Sequence, residues 1–265
     1  MPPKNSKNLD IVIIGSGNVA FHLSRELKRN GHRIVQILGR TKENAAGLAK
    51  ILQCEYVLNA SEINRDAQLY MLCIPDSSIT LLSGELPKLK GTVVHTSGST
   101  ALNVLSKVSD SYGVFYPFQT FSKIRELNFS GTPFCIESSS QEVQNLLFDV
   151  ALSIGGKPLN MDSETRRWLH IAGVFGCNFV NHMLAISYLI VQEKGIPFET
   201  LKPLVMETIA KAFDVNPVET QTGPAIRGDS DIIKNHVALL TSLDEDIRDI
   251  YMAMSTSILN FKQDR

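Results

Sequence analysis

The stretch IVIIGSGNVAFHLSRELKRNGH, from Ile11 to His32, constrains the chain more than any other. An apolar, β-branched run passes through GxGxxA into an amphipathic segment that closes on Gly31, which reads as strand, tight turn and helix. In such a unit Gly15 permits the turn and Gly17 lets the backbone approach a ligand. Ala20 allows the helix to pack closely on the strand. Ser16, Asn18 and Val19 complete the turn, where the free N–H groups of the helix start face an anion. The pattern predicts a dinucleotide site, against the plainer reading of a strand-to-helix turn. The end of the next strand selects the dinucleotide. An Asp or Glu there would bind ribose hydroxyls, but the chain has Gly39-Arg40-Thr41-Lys42. Arg40 offers a planar fork to a 2′-phosphate, with Thr41 and Lys42 beside it, so NADP is the expected cofactor. Solvated charges at a helix start are the alternative reading of Arg40 and Lys42, and Glu43 works against the NADP reading.

Around this turn the first half alternates short strands with amphipathic segments, the pattern of a parallel sheet with crossover helices. Strands are expected at 10–15, 33–38, 56–58, 69–74 and 92–95. Two more are expected at 113–116 and 133–137, before a helix at 141–154. From Ser163 to about Gln192 there is no proline and apolar residues recur at helical spacing, which predicts one long, mostly buried helix. Further helices are expected at 198–213, 229–240 and 244–261. The fold class is therefore α/β: an N-terminal Rossmann-type doubly wound sheet over 1–160, then an all-helical C-terminal domain over 161–265. Ligands of such sheets bind beyond the carboxyl ends of the strands. That brings Ile74, Pro75 and Asp76, then His95, Thr96 and Ser97, to the same crevice. His95 is either a proton-transfer group or a hydrogen-bonded strand-end histidine.

Composition narrows the partners. A net charge of −1 over 265 residues gives no basic excess for nucleic acid. The four cysteines are widely spaced, as suits reduced thiols in a cytoplasmic protein. The polar start MPPKNSKNLD has no signal-type apolar core, and no uninterrupted apolar run is long enough to span a bilayer, so no membrane partner is expected. His170, His182 and His236 lack metal-ligand spacing, so no metal is expected.

The glycine turn, GRT, HTSGSTAL (95–102), YPFQTF (116–121), HIAGVFGCNF (170–179) and TGPAIRGD (222–229) together resemble the superfamily of pyrroline-5-carboxylate reductase and 6-phosphogluconate dehydrogenase. More narrowly, they resemble its Rossmann-like branch with a C-terminal domain of unknown function. The resemblance covers nearly the full length. It implies an NADP-binding oxidoreductase whose helical domain completes the active site and forms a homodimer. In the dehydrogenase branches a lysine four residues before the helix asparagine transfers the proton, whereas this chain has Val174 before Asn178. His170 becomes the candidate in its place. At helical spacing His170, Asn178 and Asn181 form a polar stripe that either satisfies backbone or faces a ligand. Gln119 and Thr120 are candidate substrate-wall residues. Arg227 either binds a substrate carboxylate or pairs with Asp229 or another subunit. Two functions follow: an NADP-dependent oxidoreductase acting on a small polar, carboxylated metabolite between the two domains, or an NADP(H)-binding sensor without catalysis.

Overall fold

The computed structural model describes residues 8–263, and the side chains of 261–263 are outside the description. The polar amino-terminal segment discussed above lies almost wholly outside it. Eight strands form one sheet: β1 (Asp10–Ile14), β2 (Arg33–Leu38), β3 (Glu55–Val57), β4 (Leu69–Leu72), β5 (Thr92–His95), β6 (Tyr112–Pro117), β7 (Pro133–Ser138) and β8 (Lys157–Asn160). Their spatial order is β3-β2-β1-β4-β5-β6-β7-β8. Pairing is parallel except between β6 and β7. The order reverses direction between β1 and β4, and this is where a crevice opens in a doubly wound sheet.

Alternation along β1 explains its central place. Ile11 and Ile13 join a core with Leu23 and Leu27 of α1 (Asn18–Arg29), Leu48 and Leu52 of α2 (Lys42–Leu52) and Leu147 of α4 (Gln141–Ser153). Val12 and Ile14 join a second core on the opposite face, with Ile79 of α3 (Asp76–Glu85). A strand turns successive side chains to opposite faces, so an unbroken apolar run is what burial on both sides requires.

The carboxyl-terminal part of the sheet departs from the sequence reading. β8 was not expected, because KPLN has no apolar alternation; it is added by pairing alongside β7. The antiparallel turn from β6 to β7 also left no periodic signal.

The chain then stays helical from Ser163 to Glu193, as α5 (Ser163–Gly173), a π-helical turn (Val174–Phe179) and α6 (Val180–Glu193). By contact density, one compact unit ends at Asn178 and a second begins at Phe179. The break thus falls within the long helix, later than the expected boundary at 160. The second unit holds α6, α7 (Lys202–Asp214), the short α8 (Pro224–Arg227), α9 (Ser230–Thr241) and α10 (Glu245–Gln263). The long helix was expected to be mostly buried, and it is not. Trp168, Tyr188 and Leu189 are exposed, and α6, α7 and α9 bury no residue. By length and composition this helix could cross a membrane, an 18-residue window within it having a mean hydropathy of 1.6.

Candidate active site

The turn after β1 has the backbone its sequence asks for. Gly15 sits at φ +114°, and a Cβ there would lie 2.3 Å from the Cys73 carbonyl oxygen, so only glycine fits. Gly15 N–H donates to the Leu38 carbonyl (2.8 Å), setting the turn beside the end of β2. A Cβ on Gly17 would meet only open space. Helix α1 starts there with no capping side chain and no acidic residue in its first turn. Its leading N–H groups, and the partial positive charge they carry, are thus left for a ligand anion, and the turn fits a dinucleotide pyrophosphate.

The segment after β6 is fastened over this turn. Asn18 Nδ2 donates to the Phe121 carbonyl (3.0 Å), and His22 Nε2 lies 2.9 Å from the Ser122 carbonyl. Lys123 Nζ donates to the Ser16 carbonyl (3.0 Å), bringing a positive charge to a helix start that already favours anions. Nothing in the sequence signals these contacts, which join residues about a hundred positions apart.

Beyond the turn is a cavity of about 630 Å³, within the range of small-ligand sites. Its wall includes Gly17, Asn18 and Val19 from the turn, Ile74, Pro75 and Asp76 after β4, and Thr96 and Ser97 after β5. Gln119 and Thr120 line it too, as do His170 and Asn178. Gly15 and Ser16 are not part of this wall. Arg40, Thr41 and Lys42 are outside it, exposed at the start of α2, where Thr41 Oγ1 accepts from Asn44 Nδ2 (3.0 Å).

Helix α5 reaches the cavity because two glycines let it come close. A Cβ on Gly173 would lie 2.7 Å from the Phe118 ring. One on Gly98 would lie 2.7 Å from His170 Nδ1 and 2.9 Å from Tyr116 Cζ. In the space Gly98 leaves, the Tyr116 hydroxyl and His170 Nδ1 are 3.0 Å apart. Burial, reinforced by the nearby Cys135 and Asp76, pushes the Tyr116 phenol up to about 12, so it stays protonated. The π-helical turn underwinds the helix after Gly173 and carries Asn178 toward the His170 face. Asn181, beyond that turn, is exposed and outside the wall, so the straight polar stripe read from α-helical spacing ends at Asn178.

His95 is not where proton transfer would need it. It is fully buried and absent from the cavity wall, and its Nδ1 accepts from Ser97 N–H (3.2 Å). Burial first, then the positive charge of Arg166, pushes it down to about 4, so it is a neutral prop for the 97–100 turn. The sequence could not separate this outcome from a catalytic one, because both put a histidine at a strand end. Arg166 carried no motif, yet it is the largest fully buried side chain. It donates to Glu137 Oε2 (2.6 Å) and to the Thr100 carbonyl (2.5 Å), tying α5 to β7 and to the turn that follows β5. Arg227, in the second unit, pairs through Nε with Asp229 Oδ2 (2.9 Å). Among the described residues no cluster of histidine, cysteine or carboxylate side chains could hold a metal.

Two family models match the chain, and they divide it between residues 116 and 132, earlier than the break in contact density. A Rossmann-like family model matches residues 3–116, and the model described as "Domain of unknown function (DUF2520)" matches 132–258. A Bacteroides fragilis protein, BF3122, which carries a provisional NADP-oxidoreductase name, is 41% identical, with a TM-score of 0.90 over 96% of this chain and 98% of its own. The chain belongs to this Rossmann-like, DUF2520-containing family. The fold is shared more widely. A pyrroline-5-carboxylate reductase from Streptococcus pyogenes is 16% identical, with a TM-score of 0.63 over 95% of this chain and 100% of its own. A reductive aminase from Aspergillus terreus, solved with NADPH, is 12% identical, with a TM-score of 0.71 over 97% and 95%. No curated protein matches the chain.

Proposed function

We propose that the protein is an NADP-dependent oxidoreductase that reduces or oxidises a small polar metabolite. One observation carries this reading: the glycine turn and the His170 and Asn178 side chains line the same cavity. A protein that only sensed the dinucleotide would need no titratable group facing the space beside the turn.

The chain's own residues divide the work. N–H groups at the start of α1 bind the pyrophosphate, and Arg40, with Thr41 and Lys42, binds the 2′-phosphate. The walls after β4 and β5, with Thr96 and Ser97, orient the ring end of the cofactor, and Phe118 and Phe121 exclude water. Bound NADP(H) supplies the hydride chemistry. His170 holds or gives the proton at the substrate heteroatom, and Asn178 hydrogen-bonds the substrate beside it. Gln119 and Thr120 supply further polar contacts. The wall carries Asp76 and, among the described residues, neither lysine nor arginine. A carboxylate on the substrate therefore calls for a cation outside this wall.

The working form is a homodimer in the cytoplasm, built through the helical unit. Leu204, Phe213 and Leu239 are 67%, 88% and 69% exposed there, and only Ala225 and Ile247 are buried among its described apolar residues. A helical unit without its own core needs a partner surface, and a second copy presents the same apolar faces.

Calorimetric titration tests the cofactor assignment. NADPH is expected to bind more tightly than NADH, and Arg40→Asp to reverse that order. Equal affinity for the two cofactors would remove the NADP assignment. A metabolite screen for NADPH oxidation, run alongside NADP reduction, then identifies the substrate.

A further inference from the structure

We propose that Tyr116 is the positioning partner of His170, and that the two act as one proton-donating unit whose geometry depends on Gly98. This rests on the oxidoreductase reading, since it specifies how that cavity manages its proton.

The geometry of the pair supports it. Both side chains line the cavity, with the hydroxyl and Nδ1 3.0 Å apart. The rings meet edge to face, with centroids 5.9 Å apart and planes at 72°. The pair also needs an empty Cβ position: any side chain at Gly98 would fall within 2.7 Å of Nδ1 and 2.9 Å of the phenol carbon. His170 Nε2 has no hydrogen-bond partner among the described residues.

The hydrogen-bond inventory gives the pair its use. A phenol with a pKa of about 12 is protonated in the resting site. Its hydroxyl can both donate and accept. With imidazolium, the oxygen accepts from Nδ1–H and Nε2–H is left for the substrate. Reduction of a C=O or C=N bond takes a hydride at carbon and a proton at the heteroatom. As the Nε2–H bond breaks, its proton forms the new O–H or N–H bond, and the electron pair of the N–H bond stays on Nε2. The neutral ring can then take up a proton from water. In the neutral tautomer with Nε2–H, the hydroxyl turns to donate to Nδ1. Tyr116 thus holds the ring in either charge state, with the same nitrogen left for the substrate.

Long-range ¹H–¹⁵N NMR of the histidine rings tests this on the full chain, from pH 5 to 9, with His170→Asn used for assignment. A phenol donates to an imidazole nitrogen more strongly than it accepts from one, so in the neutral form Tyr116 favours the Nε2–H tautomer. The ratio of the Nε2–H to the Nδ1–H tautomer is therefore expected to fall about five-fold in Tyr116→Phe, the weight of one ordinary hydrogen bond. The Nδ1 resonance should move toward the value of a free lone pair. Gly98→Ala, which forces the rings apart while retaining the hydroxyl, is expected to change both signals in the same direction. A tautomer ratio within two-fold of wild type in Tyr116→Phe would overturn the proposal. NADPH titration of the same samples separates the two ideas. An unchanged ratio in a protein that binds NADPH removes only the Tyr116 role. Failure of the wild type to bind NADPH removes the oxidoreductase reading and, with it, the catalytic use of the pair.

Discussion

His95 gives the structure its most quantitative prediction. Its folded value of about 4 lies well below the 6.5 expected in an unfolded chain, because burial and the Arg166 charge both oppose the imidazolium. Between those values the unfolded state binds more protons, so His95's contribution is complete above pH 6.5 and is lost as pH falls toward 4. Integrated from pH 7.5 to 5.0, the loss is about 2 kcal/mol. His32 is also buried and pushed down by burial, so it slopes the same way. The test is therefore a difference: urea unfolding followed by circular dichroism at several pH values, for wild type and for His95→Asn. Asparagine can still accept from Ser97 N–H but cannot titrate. The variant is expected to lose less stability between pH 7.5 and 5.0 than wild type, by about 2 kcal/mol. Arg166→Met should raise the His95 value toward 6.5 in a direct NMR titration. Identical pH slopes for wild type and His95→Asn would refute the argument, since the histidine would then titrate alike in both states. The lowered carboxyls of Asp10, Glu142 and Asp162 do not interfere, because they titrate below this window.

Two further predictions concern packing. Arg166→Met at neutral pH leaves the Glu137 carboxylate without its buried partner, at an expected cost of about 3–5 kcal/mol, and pairing it with Glu137→Leu should restore much of that; a double-mutant cycle without coupling would rule this out. In sedimentation equilibrium the wild-type chain is expected to be a dimer, and Leu204→Asp or Phe213→Asp to shift it toward monomer; a wild-type monomer at micromolar concentration would dismiss the second-copy assignment.

The legible parts of the sequence were those in which local chemistry and tertiary demand coincide. Gly15, Gly17 and Ala20 read as a dinucleotide turn because backbone reach and the start of α1 are set within a few residues. The paired faces of β1 were legible because burial on both sides leaves only apolar residues. Tyr116 stood inside the quoted YPFQTF without a role, since its use depends on an imidazole 54 positions away. Arg166 looked like one more polar residue in SETRRW, and only its enclosure beside Glu137 makes it an anchor. The position of Asn178 shifted because a π-helical turn is not visible in α-helical periodicity.

The sequence by itself thus determined the architecture and the turn that receives a dinucleotide, because these depend on patterns short enough to be written in consecutive residues. The tertiary structure decided which histidine meets the cavity. His95 and His170 are both histidines beside apolar runs, and the difference between them is enclosure: one is sealed next to a guanidinium, the other held open by a tyrosine across a glycine. Enclosure belongs to residues far apart in the chain, so it emerges only once the chain has folded.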